Sequence, residues 1–450
     1  MRIEFVNHAS VLISEGDTAI LTDPWYSGPA FHKGWSLLVE TPDDTVARLL
    51  ERVTDIWLSH EHPDHFSIAF FRTFAEVLRA RDIPVWFQKI KDQRVANFVR
   101  QQGITLREMQ FGEPCQAGAI SLTCYKDDWY DSLASFKTTD RHVLNLNDCH
   151  VDTERRADEI LDKAGPCDVL LTQFSYAAWK GGPDNRAWRA AAAAEKLDNI
   201  ALQARLLRPR VVIPFASFVR FGNTRNAYLN DAANTPRDVV ERFRAAPFDV
   251  QVMKPGDVFT GEPSRQMTED ALTFWDAAYA RAAQAAPMMF QSKTTEDILA
   301  AFEACLTRVS ANNSRAFMRF AQRFSPIRVF QPVIVACDDI DRRFRIDLAR
   351  GELAEVRDEP HLTMHSESLW FLFQNSFGFD TLTVNGCLEE TQEGGFARAA
   401  KSLSVETLNN LGIRFGPGIV FEPRLIAVFL QRLIAVQRRL RRKGAGVRPG

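Results

Sequence analysis

A short run of imidazole and carboxylate side chains constrains this chain more than any other feature of its sequence. The run reads Ser59-His60-Glu61-His62-Pro63-Asp64-His65. It follows the apolar segment 53–59, which predicts a β-strand, and it leads into 65–80, whose apolar spacing predicts a helix. Such a dense set of donors predicts a site for one metal ion or for two close together. The alternative is a group of histidines that make only hydrogen bonds.

Composition limits the classes of protein to which the chain can belong. Its 450 residues correspond to two or three domains of roughly 100–200 residues. The 55 basic and 57 acidic side chains give a formal net charge of −2, which argues against nucleic acid as the main partner. Seven scattered cysteines without a Cys-x-x-Cys pair argue against a disulfide framework. No apolar run reaches the ~20 residues of a membrane span. The N-terminus does not have the pattern of a signal peptide, so we predict a cytoplasmic protein.

The order of apolar segments predicts an α/β region followed by an α+β region. Three strands come first and strand–helix units follow, a pattern typical of a layered sandwich with a mixed sheet. Composition changes near 283–295, and two helical stretches and a run of antiparallel strands follow. We therefore predict a metal-binding domain over 1–262, a linker or helix over 263–295, an α+β domain over 296–415, and a terminal amphipathic basic helix with its tail over 416–450.

The pattern His60-x-His62-x-Asp64-His65 after a strand resembles the signature of the metallo-β-lactamase fold superfamily. The segments Asn7-His8-Ala9-Ser10 and Leu21-Thr22-Asp23-Pro24 look like the opening strands of its phospholipase-D-like and lactonase-like branch. The resemblance implies an αββα sandwich that binds one or two divalent ions, zinc or else iron or manganese. It also implies that Asp148 bridges the ions and that Asp23 supports the site from behind.

Further segments look like the metallo-β-lactamase-like region of the CMP-N-acetylneuraminate monooxygenases, the sialic acid hydroxylases. These segments are Gly28-Pro29-Ala30-Phe31 with Gly34-Trp35, the pair Gly181-Gly182, and 206–221. The hydroxylases combine this region with a Rieske iron–sulfur domain, which needs two Cys-x-His-type ligand pairs. This sequence has no such pairs. The resemblance therefore implies that an oxygenase built on this chain would take its electrons from a separate redox partner.

The sequence departs from the two-zinc hydrolase pattern at two positions. After the predicted strand 119–125, where the superfamily usually has a histidine, this chain has Lys126-Asp127-Asp128. In a late segment where Pro-x-His is usual, Ala216 stands in place of the histidine. Asp127 or Asp128 is a candidate substitute for the first imidazole, which would give an oxygen-rich site that suits iron and manganese as well as zinc. The alternatives are a one-metal site and a fold that has lost turnover.

These patterns lead to explicit roles for individual side chains. The predicted metal ligands are His60, His62, Asp64, His65, Asp148 and Asp128. The predicted catalytic residues are Asp64, Asp148 and His8; the alternative for His8 is a strand histidine that is hydrogen-bonded in the core. The predicted substrate contacts are His32, Trp35 and Arg220; the alternatives are an aromatic core and a solvated arginine.

The sequence as a whole predicts a metal-dependent hydrolase that acts on a small, anionic substrate through water activated by the metal. One alternative is an iron-dependent oxygenase with a separate electron donor, and another is a non-catalytic metal-binding scaffold. The expected partners are a small-molecule substrate, a redox protein for the oxygenase, and a second copy of the chain in a homo-oligomer. Residues 325–390 resemble the sterol carrier protein type two fold, and the alternative is a dimerisation or cap domain.

Overall fold

The computed structural model describes residues 1–127 and 130–421. Contacts between Cα atoms divide the chain into two compact units. Unit 1 comprises Met1–Gln291 together with Thr381–Glu389, and unit 2 comprises Ser292–Asp380 and the chain from Glu390 onward. Asp128 and residues 422–450, which include most of the predicted terminal helix, lie outside the described residues. Among the helices of the described part, none is long and apolar enough to cross a membrane.

Unit 1 alternates short strands with helices. Its first elements are β1 (Arg2–Asn7), β2 (Ser10–Glu15), β3 (Thr18–Thr22), β4 (Trp35–Leu37), α1 (Asp43–Leu50), β5 (Asp55–Leu58), α2 (Ile68–Ala80), β6 (Val85–Gln88), α3 (Arg94–Gln101) and β7 (Leu106–Met109). It continues with β8 (Pro114–Ala117), β9 (Ile120–Lys126), β10 (Ser132–Lys137), β11 (His142–Asn145), α4 (Glu154–Ala164), β12 (Val169–Gln173), α5 (Arg186–Leu207), β13 (Val211–Phe215) and β14 (Val219–Phe221). The last elements are a short 3-10 helix over Ala227–Asn230, α6 (Pro236–Arg242), β15 (Asp249–Val250), β16 (Val258–Phe259) and α7 (Arg265–Gln284).

Two seven-stranded sheets form the framework of unit 1. The first has the order β16-β1-β2-β3-β5-β6-β7 and the second the order β15-β13-β12-β11-β10-β9-β8. Both sheets are mixed, because antiparallel hairpins such as β1–β2 and β9–β10 continue into parallel pairs such as β5–β6 and β12–β13. Gly16, at φ 56°, makes the tight turn between β2 and β3. The mixed sandwich that the sequence predicts is confirmed.

Apolar side chains from both sheets meet in one core, and a second core lies under the helices. Phe5 of the first sheet and Leu133 of the second are fully buried in the same cluster. On the other face of the first sheet, Leu58 packs with Phe71 of α2. This alternation of inward and outward apolar residues is what a strand between two apolar layers requires. The helix begins where the side chain of Ser67 accepts a hydrogen bond from the backbone N–H of Phe70.

The boundary of unit 1 lies after Gln291, further along the chain than the predicted boundary at 262. Helix α7, in the segment predicted as a linker or helix, packs against the core of unit 1. Its Trp275 is buried, stacks on Phe218 at 4.0 Å between ring centroids, and donates from Nε1 to the carbonyl of Met253 at 2.9 Å. A buried tryptophan with a satisfied N–H ties a helix to its neighbours, which a linker would not show.

Unit 2 contains both helices and strands, and the α+β domain predicted over 296–415 stays a prediction. Its elements, with those that connect it to Thr381–Glu389, are α8 (Thr295–Asn312), α9 (Arg315–Phe324), β17 (Val333–Cys337), β18 (Arg342–Asp347), β19 (Glu352–Glu355), β20 (Leu362–Met364), α10 (Ser366–Gln374), α11 (Gly378–Asn385), β21 (Leu388–Glu390), α12 (Gly395–Leu403), α13 (Val405–Asn410) and a 3-10 helix over Pro417–Phe421. Four strands lie in the order β19-β18-β17-β20. The resemblance to a sterol carrier protein stays a prediction.

The segment Thr381–Glu389 belongs to unit 1 although it is distant from it in sequence. Asn385 is fully buried, and its side-chain amide donates to the carbonyl of Phe31 at 3.0 Å. Its own carbonyl accepts a hydrogen bond from the amide of Asn226 at 2.6 Å. The loop 31–33 that it holds has three consecutive residues with positive φ, of 48°, 51° and 60°. Such a conformation is costly for residues other than glycine, so the hydrogen bonds of Asn385 stabilise an otherwise unfavourable loop.

We expect Gly34→Ala to destabilise unit 1 by about 1–3 kcal/mol, because the new methyl group would overpack this contact. A Cβ at Gly34 would lie 2.2 Å from the Cβ of Asn385 and 2.9 Å from the carbonyl oxygen of Phe31. The measurement is the midpoint of chemical unfolding. Gly182→Ala is the matched control, since the nearest atom to its Cβ is 3.8 Å away. Equal midpoints for the two variants would contradict the contact between Asn385 and this loop.

Candidate metal centre

Loops at the ends of strands bring the predicted ligands of unit 1 together. His8 follows β1, the run His60–His65 follows β5, and Asp148 follows β11. Asp131, which the sequence analysis did not select, directly precedes β10. Loops that meet beyond the carboxyl ends of strands are the usual place for a site in open α/β sheets. Among the described residues, four groups of side chains could hold an ion: His8 with Asp64 and His65, His60 with His65 and Asp148, His60 with His62 and Asp131, and Asp127 with Asp131 and His150.

His65 lies between two carboxylates. Its Nε2 is 3.5 Å from Oδ2 of Asp64 and 3.4 Å from Oδ2 of Asp148. Within the described part of the chain, neither His65 Nε2 nor Asp64 Oδ1 has a hydrogen-bond partner, although both atoms are buried. Buried polar atoms are normally paired, and two carboxylates repel each other. A divalent ion between these groups would satisfy the unpaired atoms and both charges, so the donor set fits a metal.

His60, His62 and Asp131 form the first ligand group. His60 Nε2 lies 2.9 Å from His62 Nδ1 and 3.7 Å from Oδ1 of Asp131. Asp131 is thus the carboxylate that approaches these imidazoles from the segment after β9, where the superfamily pattern has a histidine. Asp127 is buried and paired with Arg156, and its carboxylate also lies near Asp131 and His150 rather than in the group with His60 and His62. The assignment of Asp128 as a ligand remains a prediction.

His8, Asp64 and His65 form the second ligand group. His8 is buried at φ 38°, a strained value for a residue other than glycine, and its Nε2 is 3.3 Å from Oδ2 of Asp64. The backbone N–H of Ala216 donates to the carbonyl of His8 at 2.8 Å. Ala216 is the position at which the superfamily pattern has its second missing histidine. The structure therefore brings His8 beside the position that lacks an imidazole.

Asp148 lies where the two groups meet. One of its oxygens, Oδ2, faces His65, and the other, Oδ1, accepts a hydrogen bond from the side-chain amide of Gln173 at 2.6 Å. A ring nitrogen of His60, a ring nitrogen of His65 and a carboxylate oxygen of Asp148 lie within 4.8 Å of one another, close enough to bind one ion. The resemblance implies that Asp148 is a bridging carboxylate, and this role stays a prediction.

Asp23 and Ser59 orient the imidazoles from behind. Oδ2 of Asp23 is 3.0 Å from His65 Nδ1 and accepts a hydrogen bond from the Ser59 hydroxyl at 2.8 Å. The same hydroxyl is 2.9 Å from His60 Nδ1. Because the Nδ1 atoms of both rings are engaged, their Nε2 atoms face the ligand cluster. Hydrogen bonds of this kind fix the tautomer and the ring orientation of metal-binding histidines.

Burial and mutual charge shift the pKa values in the cluster. Burial lowers the pKa of His60 and of His62 to about 4, which keeps both rings neutral and able to bind a metal at neutral pH. Burial raises the pKa of Asp131 to about 6. Burial opposes charge on His65 as well, but the carboxylates of Asp64 and Asp148 raise its pKa well above the ordinary value. A proton on His65 and a metal ion therefore compete for the same charges.

A cavity of about 230 Å³ adjoins the ligand cluster. Ligand side chains, aromatic rings and lysines share its wall, which includes His62, Asp131, Asp148, Phe31, Trp35, Tyr176, Val384, Lys180, Lys196 and Glu195. Val384 comes from the distant segment Thr381–Glu389, so that segment forms part of the wall. A concave apolar pocket with a few polar groups is the usual form of a small-molecule site.

The predicted substrate contacts divide between the cavity and other parts of unit 1. Trp35 lines the cavity. His32 stacks on Phe290 at 5.2 Å between ring centroids. Arg220 donates to the hydroxyl of Ser36 at 3.0 Å and to the carbonyl of Ala285 at 3.2 Å, at the end of α7. Neither His32 nor Arg220 is among the described residues that line this cavity. Arg220 instead donates to backbone carbonyls at the end of α7, which need hydrogen-bond donors.

We expect Asp23→Asn to weaken metal binding about 10–100-fold, because an amide has a single oxygen and cannot accept both at Oδ1, from the backbone N–H of Ser59, and at Oδ2, from His65 and the Ser59 hydroxyl. The measurement is competition with a chelator for the bound ion, with thermal unfolding as a check on folding. Asp44→Asn is the control, since Asp44 is exposed on α1. Equal affinities in the two variants would show that Asp23 has no part in the site.

Part of this chain is similar in sequence to known proteins. Residues 2–120 match a family described as a beta-lactamase superfamily domain. The inactive cytidine monophosphate-N-acetylneuraminic acid hydroxylase of Homo sapiens is 28% identical over 287 residues, which cover 60% of this chain and 54% of that protein. The cytidine monophosphate-N-acetylneuraminic acid hydroxylase of Cricetulus griseus is 26% identical over 287 residues, 60% of this chain and 48% of that protein. The chain spans about half the length of these relatives.

A solved structure covers a comparable share of the chain. It is a possible metal-dependent hydrolase from Veillonella parvula, with a TM-score of 0.45 and 16% identity over 58% of this chain and 99% of that one. The family match rests instead on the sequence of residues 2–120, which contains His8, Asp23 and the whole run His60–His65. Residues 2–120 therefore match a β-lactamase superfamily domain, and the resemblance inferred from the motifs is confirmed over these residues.

Proposed function

We propose that unit 1 binds two divalent metal ions and hydrolyses a small, anionic molecule with water that the ions activate. The observation that carries the proposal is the presence of two ligand groups joined by one carboxylate. Together the groups contain four imidazoles and three carboxylates, from His8, His60, His62, His65, Asp64, Asp131 and Asp148. Each ion would have three ligands of its own and would share Asp148 with the other ion. Coordination positions would then remain open for water and substrate.

Two of these ligands replace histidines of the superfamily pattern. Asp131 replaces the histidine expected after β9, and its support is the 3.7 Å distance to His60 Nε2. His8 replaces the histidine expected at position 216, and its support is the hydrogen bond to Ala216 and the unpaired, buried Nδ1 of its ring. The exchange keeps the number of donors and makes one ligand group richer in oxygen.

The ions, when bound, would lower the pKa of water towards ~7 and polarise a carbonyl or phosphoryl oxygen of the substrate. The residues of the chain hold the reactants. Gln173 fixes one oxygen of Asp148 through its side-chain amide. Phe31 and Trp35 line the cavity with aromatic surface, while Lys180 and Lys196 supply positive charge for an anion.

An iron-dependent oxygenase is the second candidate, and two observations favour it. Two relatives that match this chain by sequence are named hydroxylases. The carboxylate of Asp131 in place of an imidazole gives a ligand set that suits iron and manganese as well as zinc. On this hypothesis a separate protein would supply the electrons, and the cavity would hold the molecule to be hydroxylated.

We expect His8→Ala and Asp131→Ala each to lower the metal content from two ions per chain to about one, because each variant removes a ligand of one group only. The measurement is elemental analysis of protein purified without added metal. The control is His361→Ala, a half-buried histidine of unit 2 that should leave the content unchanged. Two ions retained in the His8 variant would exclude His8 from the ligand set.

The reaction class is tested on the same preparation. A hydrolase should cleave a chromogenic phosphodiester, a lactone or an amide equally well with and without O2, and it should lose this activity after chelation. An oxygenase should contain iron and consume O2 only when an electron donor is supplied. Bound metal with neither activity would favour the non-catalytic scaffold over both enzymes.

A further inference from the structure

The cavity beside the ligand cluster contains a lysine that the metal centre itself does not use. Lys196 lies on α5, half-buried in the cavity wall. Its Nζ donates to Oε1 of Gln173 at 2.7 Å, and Nε2 of Gln173 in turn donates to Oδ1 of Asp148 at 2.6 Å. The amide of Gln173 has one possible orientation here, because its oxygen must face the ammonium and its nitrogen the carboxylate.

We propose that Lys196 binds the anionic group of the substrate, a phosphate or a carboxylate, and that Gln173 fixes the distance between this group and the metal centre. This inference rests on the proposed function and adds the residue that selects the class of substrate. It replaces Arg220 in that role, whose donors are used on Ser36 and on the carbonyls near the end of α7.

The hydrogen-bonding capacity of Lys196 supports this role. An ammonium group has three N–H donors, and a single hydrogen bond accounts for one of them. Among the described residues, no carboxylate lies within 4.0 Å of its nitrogen, in contrast to the ion pairs of Lys254 with Asp257 and of Arg156 with Asp127. A lysine that served only to neutralise Asp148 would contact that carboxylate directly, whereas Gln173 stands between them.

Charges of both signs line the cavity, and its two lysines are the groups that would attract an anion. Lys180 lies in the same wall and adds a second positive charge. Glu195 and Asp152 line the cavity too, but both are exposed to solvent, where their charges are screened. Burial lowers the pKa of Lys196, which means that the site gains from an anionic partner that would restore its charge.

The rest of the wall defines the second half of the substrate. Phe31, Trp35, Tyr176 and Val384 contribute aromatic and aliphatic surface to the same wall. A ligand that fits has an anionic group for Lys196 and a flat or apolar body for these side chains. The cleavable bond would then lie between the two, next to Asp148.

The test uses phenyl phosphate and benzoate as probes, because each joins an anionic group to an aromatic ring. We expect the metal-loaded protein to bind one of them at least tenfold more tightly than Lys196→Met does, by calorimetric titration. Lys196→Arg should recover part of the affinity, because it keeps the positive charge. If Lys196 had only a structural role, restoring the charge would not restore the affinity for the probe. Lys91→Met, at an exposed position outside the cavity, is the control and should bind as the unchanged chain does. The preferred probe distinguishes a phosphate from a carboxylate substrate.

The outcome separates this inference from the proposed function. Metal content is measured on every variant, and we expect Lys196→Met to keep both ions. If the variant keeps its metal and binds both probes as tightly as the unchanged chain, Lys196 is not the anion-binding residue and the metal centre stands. If the unchanged chain holds no metal after loading, the proposed function fails independently of Lys196. If neither probe binds the unchanged, metal-loaded chain, the anion-binding role is overturned.

Discussion

The convergence of two carboxylates on one buried imidazole is the constraint on which the centre of this molecule depends. Asp64 and Asp148 both face Nε2 of His65, from which each is separated by about 3.5 Å. Like charges at this spacing raise the free energy of the folded protein unless a positive charge stands between them. The same requirement accounts for the raised pKa of His65 and for the fit of the cluster to a divalent cation.

The scaffold around this cluster resists the repulsion with hydrogen bonds from outside it. Asp23 and Ser59 hold the far sides of the His60 and His65 rings, and Gln173 holds Asp148. Ligand positions that are held in this way do not need to move when a metal ion binds. A hydrogen bond from outside also fixes part of the cavity wall. Asn385 donates to the carbonyl of Phe31, in a loop of three residues at positive φ.

The local part of the site was predictable, and its long-range part was not. The run His60–His65 is recognisable because its donors are neighbours in sequence and follow a strand. Asp131 was missed because it lies in an ordinary acidic segment, and only the pairing of β9 with β10 brings it back towards His60. Arg220 was chosen for its charge, yet the end of α7 provides carbonyls that satisfy it. Lys196 gave no signal within an alanine-rich helix.

The sequence by itself determined the family, the mixed sandwich and the presence of a metal-type donor set, because each depends on short patterns of neighbouring residues. Only the tertiary structure brought Asp131 and His8 beside the other candidate ligands, and only it placed a segment some 350 residues away from Phe31 in the cavity wall. The physical reason is that metal coordination and pocket shape depend on distances between atoms. Those distances are set when strands pair and loops pack, and no local pattern encodes them.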